Sequence, residues 1–331
     1  MAPGPWPRTN SQTAAVGANA WGGPGLMRPT HLPTAFDRPR TWSELIAFAK
    51  RAGESFIGRS HQWVAGETLD EALRAAKQAN DRGMEAIVNH LGERLLDRAQ
   101  VEATTREYLR LLDAMQSSGI RGTVSLKPTQ FGLLIDRAYA LSQIFPVLDV
   151  ARAQDRVLWL DMETADTTDD TIWICERLLE RHAKVGICLQ ANLKRTLKDV
   201  ERLAQVGVRI RLVKGAYKEP SDIAYESRTD IDRAYLSNLE ILFARARDFA
   251  VASHDPRMIQ RALELAKERP ARFDFNLLQG VRDPLHTELV SKGHRVAEYI
   301  SYGPKWLPYF GRRWRDRPRN MLTMARAFVS G

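Results

Sequence analysis

Eight short runs of apolar and β-branched residues, separated by stretches with helical periodicity, set the narrowest limit on how this chain can fold. The runs cover 86–88, 123–126, 157–160, 185–189, 208–213, 249–252, 273–278 and 296–300. Between them, segments such as 101–115 and 231–246 repeat apolar side chains at three- and four-residue steps, the mark of an amphipathic helix. Strands alternating with helices pair in parallel through crossovers. Eight such units predict an α/β fold of the (βα)8 TIM-barrel type, which needs roughly 250 residues. The chain has 331. An open doubly wound sheet is the competing architecture, but no strand is followed by the G-x-G-x-x-G loop of its dinucleotide-binding form.

Two helices are expected before the first strand. Ser43 can cap one that runs through Glu44-Leu45-Ile46-Ala47-Phe48 to Gly53. Thr68-Leu69-Asp70-Glu71 reads as a capping box for a second, which stops near Gly83. Residues 1–40 break the composition: they hold seven of the sixteen prolines and five glycines, with no period of 2 or 3.6. They read as a disordered leader, leaving 41–331 as one catalytic domain with N-terminal helices. The leader has no apolar region of a secretory signal, and its helix breakers oppose the amphipathic helix of a transit peptide. No stretch reaches 18 consecutive apolar residues, so no transmembrane helix is expected. Cys175 and Cys188 lack a disulfide framework and fit a reducing, cytoplasmic compartment.

The net charge of +9 resembles a nucleic-acid footprint until it is located. Residues 1–40 hold four arginines against Asp37, and residues 305–319 hold six basic residues against Asp316. Those two segments carry eight of the nine excess charges, so the remainder offers no broad surface for a duplex.

Barrel enzymes act at the C-terminal ends of their strands. Here those ends read Lys127, Asp161, Gln190, Lys214-Gly215, Ser253-His254-Asp255 and Asn276. Each alone reads equally well as a helix cap or a satisfied buried group. Six at equivalent places indicate a ligand, because burying a polar group unpaired costs about 1–3 kcal/mol. In Arg211-Leu212-Val213-Lys214-Gly215-Ala216-Tyr217, alternation turns Arg211 and Val213 to one face. An arginine inside a barrel needs an anion or an electron-rich ring. Gly215 and Ala216 remove bulk, so backbone can approach a large flat ligand. Further on, Tyr299-Ile300-Ser301-Tyr302-Gly303 is followed by Tyr309-Phe310-Gly311-Arg312-Arg313. Adjacent arginines on a helix can embrace one carboxylate from two directions, although Arg-Arg more commonly marks a basic surface.

Taken with Val64-Ala65-Gly66-Glu67-Thr68-Leu69, Ser125-Leu126-Lys127-Pro128-Thr129, Leu160-Asp161-Met162-Glu163, Leu189-Gln190 and His254-Asp255-Pro256, these segments resemble the proline dehydrogenase family. The resemblance runs from about Trp63 to the C-terminus. It implies a distorted (βα)8 barrel, non-covalent FAD at the strand C-termini, and oxidation of L-proline to 1-pyrroline-5-carboxylate by hydride transfer. It also implies electron transfer to a quinone at a membrane surface, with peripheral contact only, and a separate pyrroline-5-carboxylate dehydrogenase downstream.

The same resemblance assigns roles. Arg312 and Arg313 match the clamp on the proline carboxylate, Lys127 a lysine beside the substrate, and Asp161 an acid organising the basic cluster. Tyr299, Tyr309, Tyr217, Ala216 and Leu278 match the walls around the pyrrolidine ring. Arg211 matches the arginine beside the flavin's reactive nitrogen. Gln190, Val213, Gly215, Ala216 and the Met162 backbone match other flavin contacts, and Lys214, Ser253 and His254 match groups nearer the pyrophosphate and ribose. Asp316, Asn276 and Ser253 stand where the family more often has glutamate, glutamine and threonine. Two readings compete with this one. A Schiff-base or phosphate-binding barrel enzyme without flavin could use Lys127 or Lys214, and a nucleic-acid-binding protein could use the basic tail.

Overall fold

The computed structural model describes residues 63–304; the leader, the helix expected after Ser43, and Tyr309, Arg312, Arg313 and Asp316 lie outside them. The first described helix, α1 (Leu69–Asp81), begins as its sequence predicts. The Thr68 hydroxyl accepts from Glu71 N, and the Glu71 carboxylate accepts from Thr68 N at 2.9 Å. Seven helices follow: α2 (Arg98–Ser117), α3 (Arg137–Ala153), α4 (Thr168–Leu179), α5 (Thr196–Gln205), α6 (Arg228–Arg245), α7 (Pro256–Glu268) and α8 (Asp283–Ser291). They alternate with β1 (Glu85–His90), β2 (Gly122–Leu126), β3 (Leu158–Leu160), β4 (Val185–Gln190), β5 (Arg209–Val213), β6 (Asp248–Val251), β7 (Arg272–Leu278) and β8 (Val296–Tyr302).

The strands pair in parallel in sequence order, and β8 returns to β1 to close the barrel. Every expected strand is present, with ends moved by one or two residues. β8 reaches Tyr302 and β4 reaches Gln190, beyond the apolar runs, because the ladder is made by backbone groups and does not require an apolar side chain.

Alternation along each strand sorts the side chains into two cores. The larger lies between the strands and the helices, and includes Val88, Leu126, Leu160, Ile187, Leu212, Phe275 and Ile300. The smaller fills the barrel: Ile87, Trp159, Ala250 and Ala297, with Val157 and Tyr299 against them. Trp159 lies level with Gly186 on the neighbouring strand, where a Cβ would fall 2.3 Å from the indole. A glycine on β4 therefore makes room for the tryptophan on β3.

The rest of the barrel interior is polar, with Asn89, Ser125 and Asn276, and in part charged. Arg209 pairs with Asp274 and lies 3.3 Å from Asp248 Oδ1. Its guanidinium sits 5.2 Å from the Trp159 ring centre, and that of Arg211 sits 4.8 Å from it. Both arginines thus meet the two partners that make an inward-facing arginine tolerable, an anion and an aromatic face.

Candidate active site

Asp161, immediately after β3, is the hub of the barrel mouth. Its carboxylate accepts from Ser125 Oγ at 2.8 Å, Lys127 Nζ at 2.9 Å, Tyr299 OH at 2.6 Å and the Arg211 guanidinium. Donors from three strands, β2, β5 and β8, thus converge on the carboxyl group that follows β3. Lys127, Asp161 and Arg211 are all buried, at 5%, 8% and 3% exposure. Burial alone would raise the Asp161 pKa, but the Lys127 and Arg211 charges outweigh it and hold the carboxyl well below its usual range. Arg211 is likewise opposed by burial and supported by Asp161, which keeps its guanidinium charged. Arg211 also donates to Ser125 Oγ at 2.9 Å, and its charge lies 5.3 Å from the Tyr299 ring centre.

A second polar link crosses from β3 to β5. Gln190 donates to the Glu163 carbonyl at 2.8 Å and accepts from Ala216 N at 3.3 Å. The Glu163 carboxyl accepts from Thr129 Oγ1 at 2.6 Å and Thr129 N at 3.1 Å. Its pKa is pushed up to about 7, chiefly by burial, with the Thr129 hydroxyl and Lys127 pulling the other way.

Beyond β5 the chain turns at Gly215, whose φ of +106° falls in the region that favours glycine. A Cβ there would lie 1.9 Å from Asn192 Oδ1. This glycine thus has a local reason, distinct from the expected approach of a flat ligand: the β5 turn packs its backbone against the β4 turn. Val213, Ala216 and Tyr217 flank it, half-buried.

Lys214 turns away towards Asp232 of α6 and the α7 N-cap Asp255, donating to Asp232 Oδ1 at 2.5 Å and Asp255 Oδ2 at 2.6 Å. Arg257 shares both carboxylates. Ser253 Oγ accepts from Asp255 N at 3.2 Å. His254 Nε2 accepts from Leu278 N at 3.0 Å, which requires an unprotonated nitrogen. Its pKa is pushed down to about 3, first by burial, with the Arg282 charge adding to it. Leu278 itself is 36% exposed at the end of β7.

The structure therefore brings Lys127, Asp161, Arg211 and Tyr299 into direct contact, with Met162, Gln190, Val213, Gly215, Ala216 and Tyr217 on the adjoining strand ends. Ser253, His254 and Leu278 follow at β6 and β7. The sequence alone assigns no role of their own to Ser125, Trp159, Asn192, Asp232 and Asp255. Ser125 and Trp159 stand two residues before Lys127 and Asp161, so alternation alone puts them on the same face. Nothing local in the sequence marks Asn192 or Asp232.

The proline dehydrogenase family model matches residues 72–317. Proline dehydrogenase 1 of Bacillus subtilis (strain 168) is 31% identical over 279 residues, covering 83% of this chain and 92% of its own. The proline dehydrogenase of Deinococcus radiodurans is 28% identical over 302 residues, covering 87% and 97%. Among solved structures, proline utilization A from Bdellovibrio bacteriovorus superposes with a TM-score of 0.72 at 21% identity, over 80% of this chain and 32% of that one. The Corynebacterium freiburgense protein gives 0.69 at 22%, over 88% and 35%. The chain spans about a third of the length of those structures, and the likeness to them is one of fold. The match to the family model over most of the barrel, with the relatives at about 30% identity along nearly their whole length, makes this chain a member of the proline dehydrogenase family.

Proposed function

We propose that the chain carries out its family's proline oxidation at the mouth organised by Asp161, with non-covalent FAD as hydride acceptor and a quinone as onward electron acceptor. The convergence of Lys127, Arg211, Tyr299 and Ser125 on one buried carboxylate carries this reading. It fixes positive charge at the strand ends while keeping that charge paired.

The residues present fit a flavin. Arg211 Nη1 is buried with no oxygen or nitrogen acceptor among the described residues and the weakly accepting Cys188 thiol beside it, so a stronger acceptor on a ligand would engage it. Ala216 N is held by Gln190, which shapes the β5 turn against which a ring could lie. Met162, Gln190, Arg211, Val213, Gly215 and Ala216 would hold the ring, with Lys214, Ser253 and His254 nearer the pyrophosphate and ribose. A bound FAD supplies the acceptor for hydride.

The chain's own groups do the rest. Arg312 and Arg313 take the proline carboxylate by two forks and so decide which carbon faces the acceptor. Tyr217, Leu278, Tyr299, Tyr309 and Ala216 enclose the ring. The carbon beside the proline nitrogen gives up hydride, the nitrogen gives up its proton, and a C=N bond forms to make 1-pyrroline-5-carboxylate. Lys127 and Arg211 disfavour a third cation beside them, which favours the neutral amine whose lone pair assists that step. Arg211 would hold a fixed positive charge beside a bound flavin and so favour its reduced, anionic form.

The lysines of the rival Schiff-base reading are both committed: Lys127 to Asp161, Lys214 to Asp232 and Asp255. Among the described residues no helix is long and apolar enough to cross a membrane, so contact with a membrane quinone would be peripheral. Anaerobic L-proline added to the purified chain should bleach a visible flavin band, with 1-pyrroline-5-carboxylate appearing. Chromatography of the flavin released on denaturation should give FAD. A colourless protein, or a band indifferent to proline, overturns the proposal; FMN overturns the cofactor assignment.

A further inference from the structure

We propose that Asp283, His286 and Glu298 form a site for one divalent transition-metal ion on the outer side of β8. Each offers one ligand atom, and the three atoms lie within 4.8 Å of one another. Asp283 opens α8 and His286 lies three residues on, so both occupy one helix face. Glu298 reaches the same place from β8, because its neighbours Ala297 and Tyr299 face into the barrel.

The hydrogen-bonding of His286 points to a cation. Nε2 lies 3.1 Å from the Val281 carbonyl, an acceptor only, so Nε2 carries hydrogen. In the neutral ring, Nδ1 then presents a bare lone pair to Glu298 Oε1 at 3.2 Å, which repels it. A metal ion between them satisfies both. Two ligands each about 2.0–2.2 Å from such an ion stand roughly 2.8–3.6 Å apart at tetrahedral or octahedral angles, which brackets the separation found. A ligating histidine whose other nitrogen donates to a backbone carbonyl is also the usual supporting arrangement at metal sites.

The competing occupant is a second proton on His286. That makes an imidazolium at 0% exposure beside Glu298, at 1%, whose Oε2 already receives Arg82 Nη2 at 2.8 Å. Although Arg82 is exposed, that imidazolium and Glu298 must both be desolvated. A metal ion need not be, because Asp283 is exposed and makes no ion pair among the described residues. A cleft of about 710 Å³ opens beside Asp283 and Glu298, giving water access to the remaining coordination positions. Gln279 also lines the cleft, and its Oε1 is buried without a partner among the described residues, ready to accept from a metal-bound water. One imidazole and two carboxylates suit Zn²⁺, Mn²⁺ or Fe²⁺.

The ion would tie β8 to the turn between β7 and α8. That turn carries Val281 and Arg282, and Arg282 donates to the His254 carbonyl at 2.6 Å. The His254 and His286 ring centres are 6.1 Å apart. The site would therefore brace His254 and Leu278 from behind, but its existence does not depend on the proline-oxidising reading.

The test uses tag-free full-length protein, stripped with a chelator and titrated with Zn²⁺ by calorimetry. Wild type should bind one equivalent. His286→Gln, which keeps a donor for Val281, and Asp283→Asn should each weaken that binding by at least about 10-fold, the scale of losing a supporting or direct ligand. Absence of saturable binding in the wild type overturns the proposal. So does binding that both variants retain unchanged, which would place the ion elsewhere and leave an ion pair only. If the buried His286→Gln substitution unfolds the chain, the exposed Asp283→Asn decides by the same criterion.

Discussion

The Tyr299 hydroxyl donates to Asp161 Oδ2 at 2.6 Å, joining β8 to β3 across the mouth of the barrel. Because that hydroxyl is already committed, Tyr299 has no free donor to offer a substrate. It can shape the proposed pocket but is poorly placed to welcome a polar group there.

Substrate choice should follow. A 4-hydroxyl on the pyrrolidine ring would meet the tyrosine without a matched partner, at a cost of about 1–3 kcal/mol. Proline should be preferred over trans-4-hydroxyproline by roughly 5- to 150-fold in kcat/KM, and Tyr299→Ser should narrow the gap. The two substrates are compared on wild type and variant; an unchanged ratio in folded, flavin-loaded Tyr299→Ser rejects Tyr299 as the gate.

Asp161 should be worth most to the fold as a partner for cations. Asp161→Asn removes the carboxylate that pairs with both buried cations, Lys127 and Arg211, a loss of about 3–5 kcal/mol. Adding Lys127→Met should recover part of it, since one of the stranded charges is then gone. Urea denaturation of the single and double variants measures this. A loss below about 1 kcal/mol for Asp161→Asn would show that the cations find other partners.

Two buried groups should give opposing pH dependences. Glu163 rises from 4.5 unfolded to about 7 folded, so the folded state holds an extra proton between those values. Stability from this group therefore falls as pH rises from 4.5 to 7, by up to about 1.4 kcal/mol per pH unit. His254 drops from 6.5 to about 3, so the unfolded state holds the extra proton there and stability falls as pH decreases through that window. The two largely cancel between 4.5 and 6.5. Glu163→Gln should expose stability that rises with pH, and His254→Gln stability that falls. Denaturation midpoints across pH 4.5–7 check both signs; parallel profiles for wild type and variants would show that neither group is perturbed.

Gly215→Ala should destabilise for two separable reasons. The added methyl meets Asn192, and the φ of +106° is strained for any other residue. Removing the collision with Asn192→Ala should restore only part of the loss, leaving about 1–3 kcal/mol of backbone strain. A double-mutant cycle with no coupling would mean the two turns do not pack as described.

Arg312→Lys and Arg313→Lys keep charge but lose the planar fork. Each should weaken apparent proline affinity by about 2–3 kcal/mol while FAD content holds. Steady-state kinetics with parallel flavin quantitation reads this directly, and an unchanged KM would place the arginines on a solvated surface.

Much of this was legible in the chain itself because strands and helices write their periods into the sequence. The eight runs predict the barrel, and alternation predicts that Arg211 faces inward to an anion or a ring; it finds Asp161 and Trp159. What local pattern cannot show is which distant residue arrives. Asp232 and Asp255 reach Lys214 from 18 and 41 residues away. The elevated Glu163 pKa arises from burial assembled by the whole mouth, and the dependence of Trp159 on Gly186 appears only once β3 and β4 are in register.

The pairing of β8 with β1 has a consequence for the chain as it is made. Ile87 finds its partner Tyr299 more than two hundred residues later. At roughly 5–20 residues per second, β1 waits about 10–40 s on the ribosome with one edge unpaired. During that interval the nascent strand is open to another chain, and Lys127, Asp161 and Arg211 join in turn a mouth that Tyr299 has yet to close. Protection of that edge and the closing hydrogen bond to Asp161 arrive together with β8.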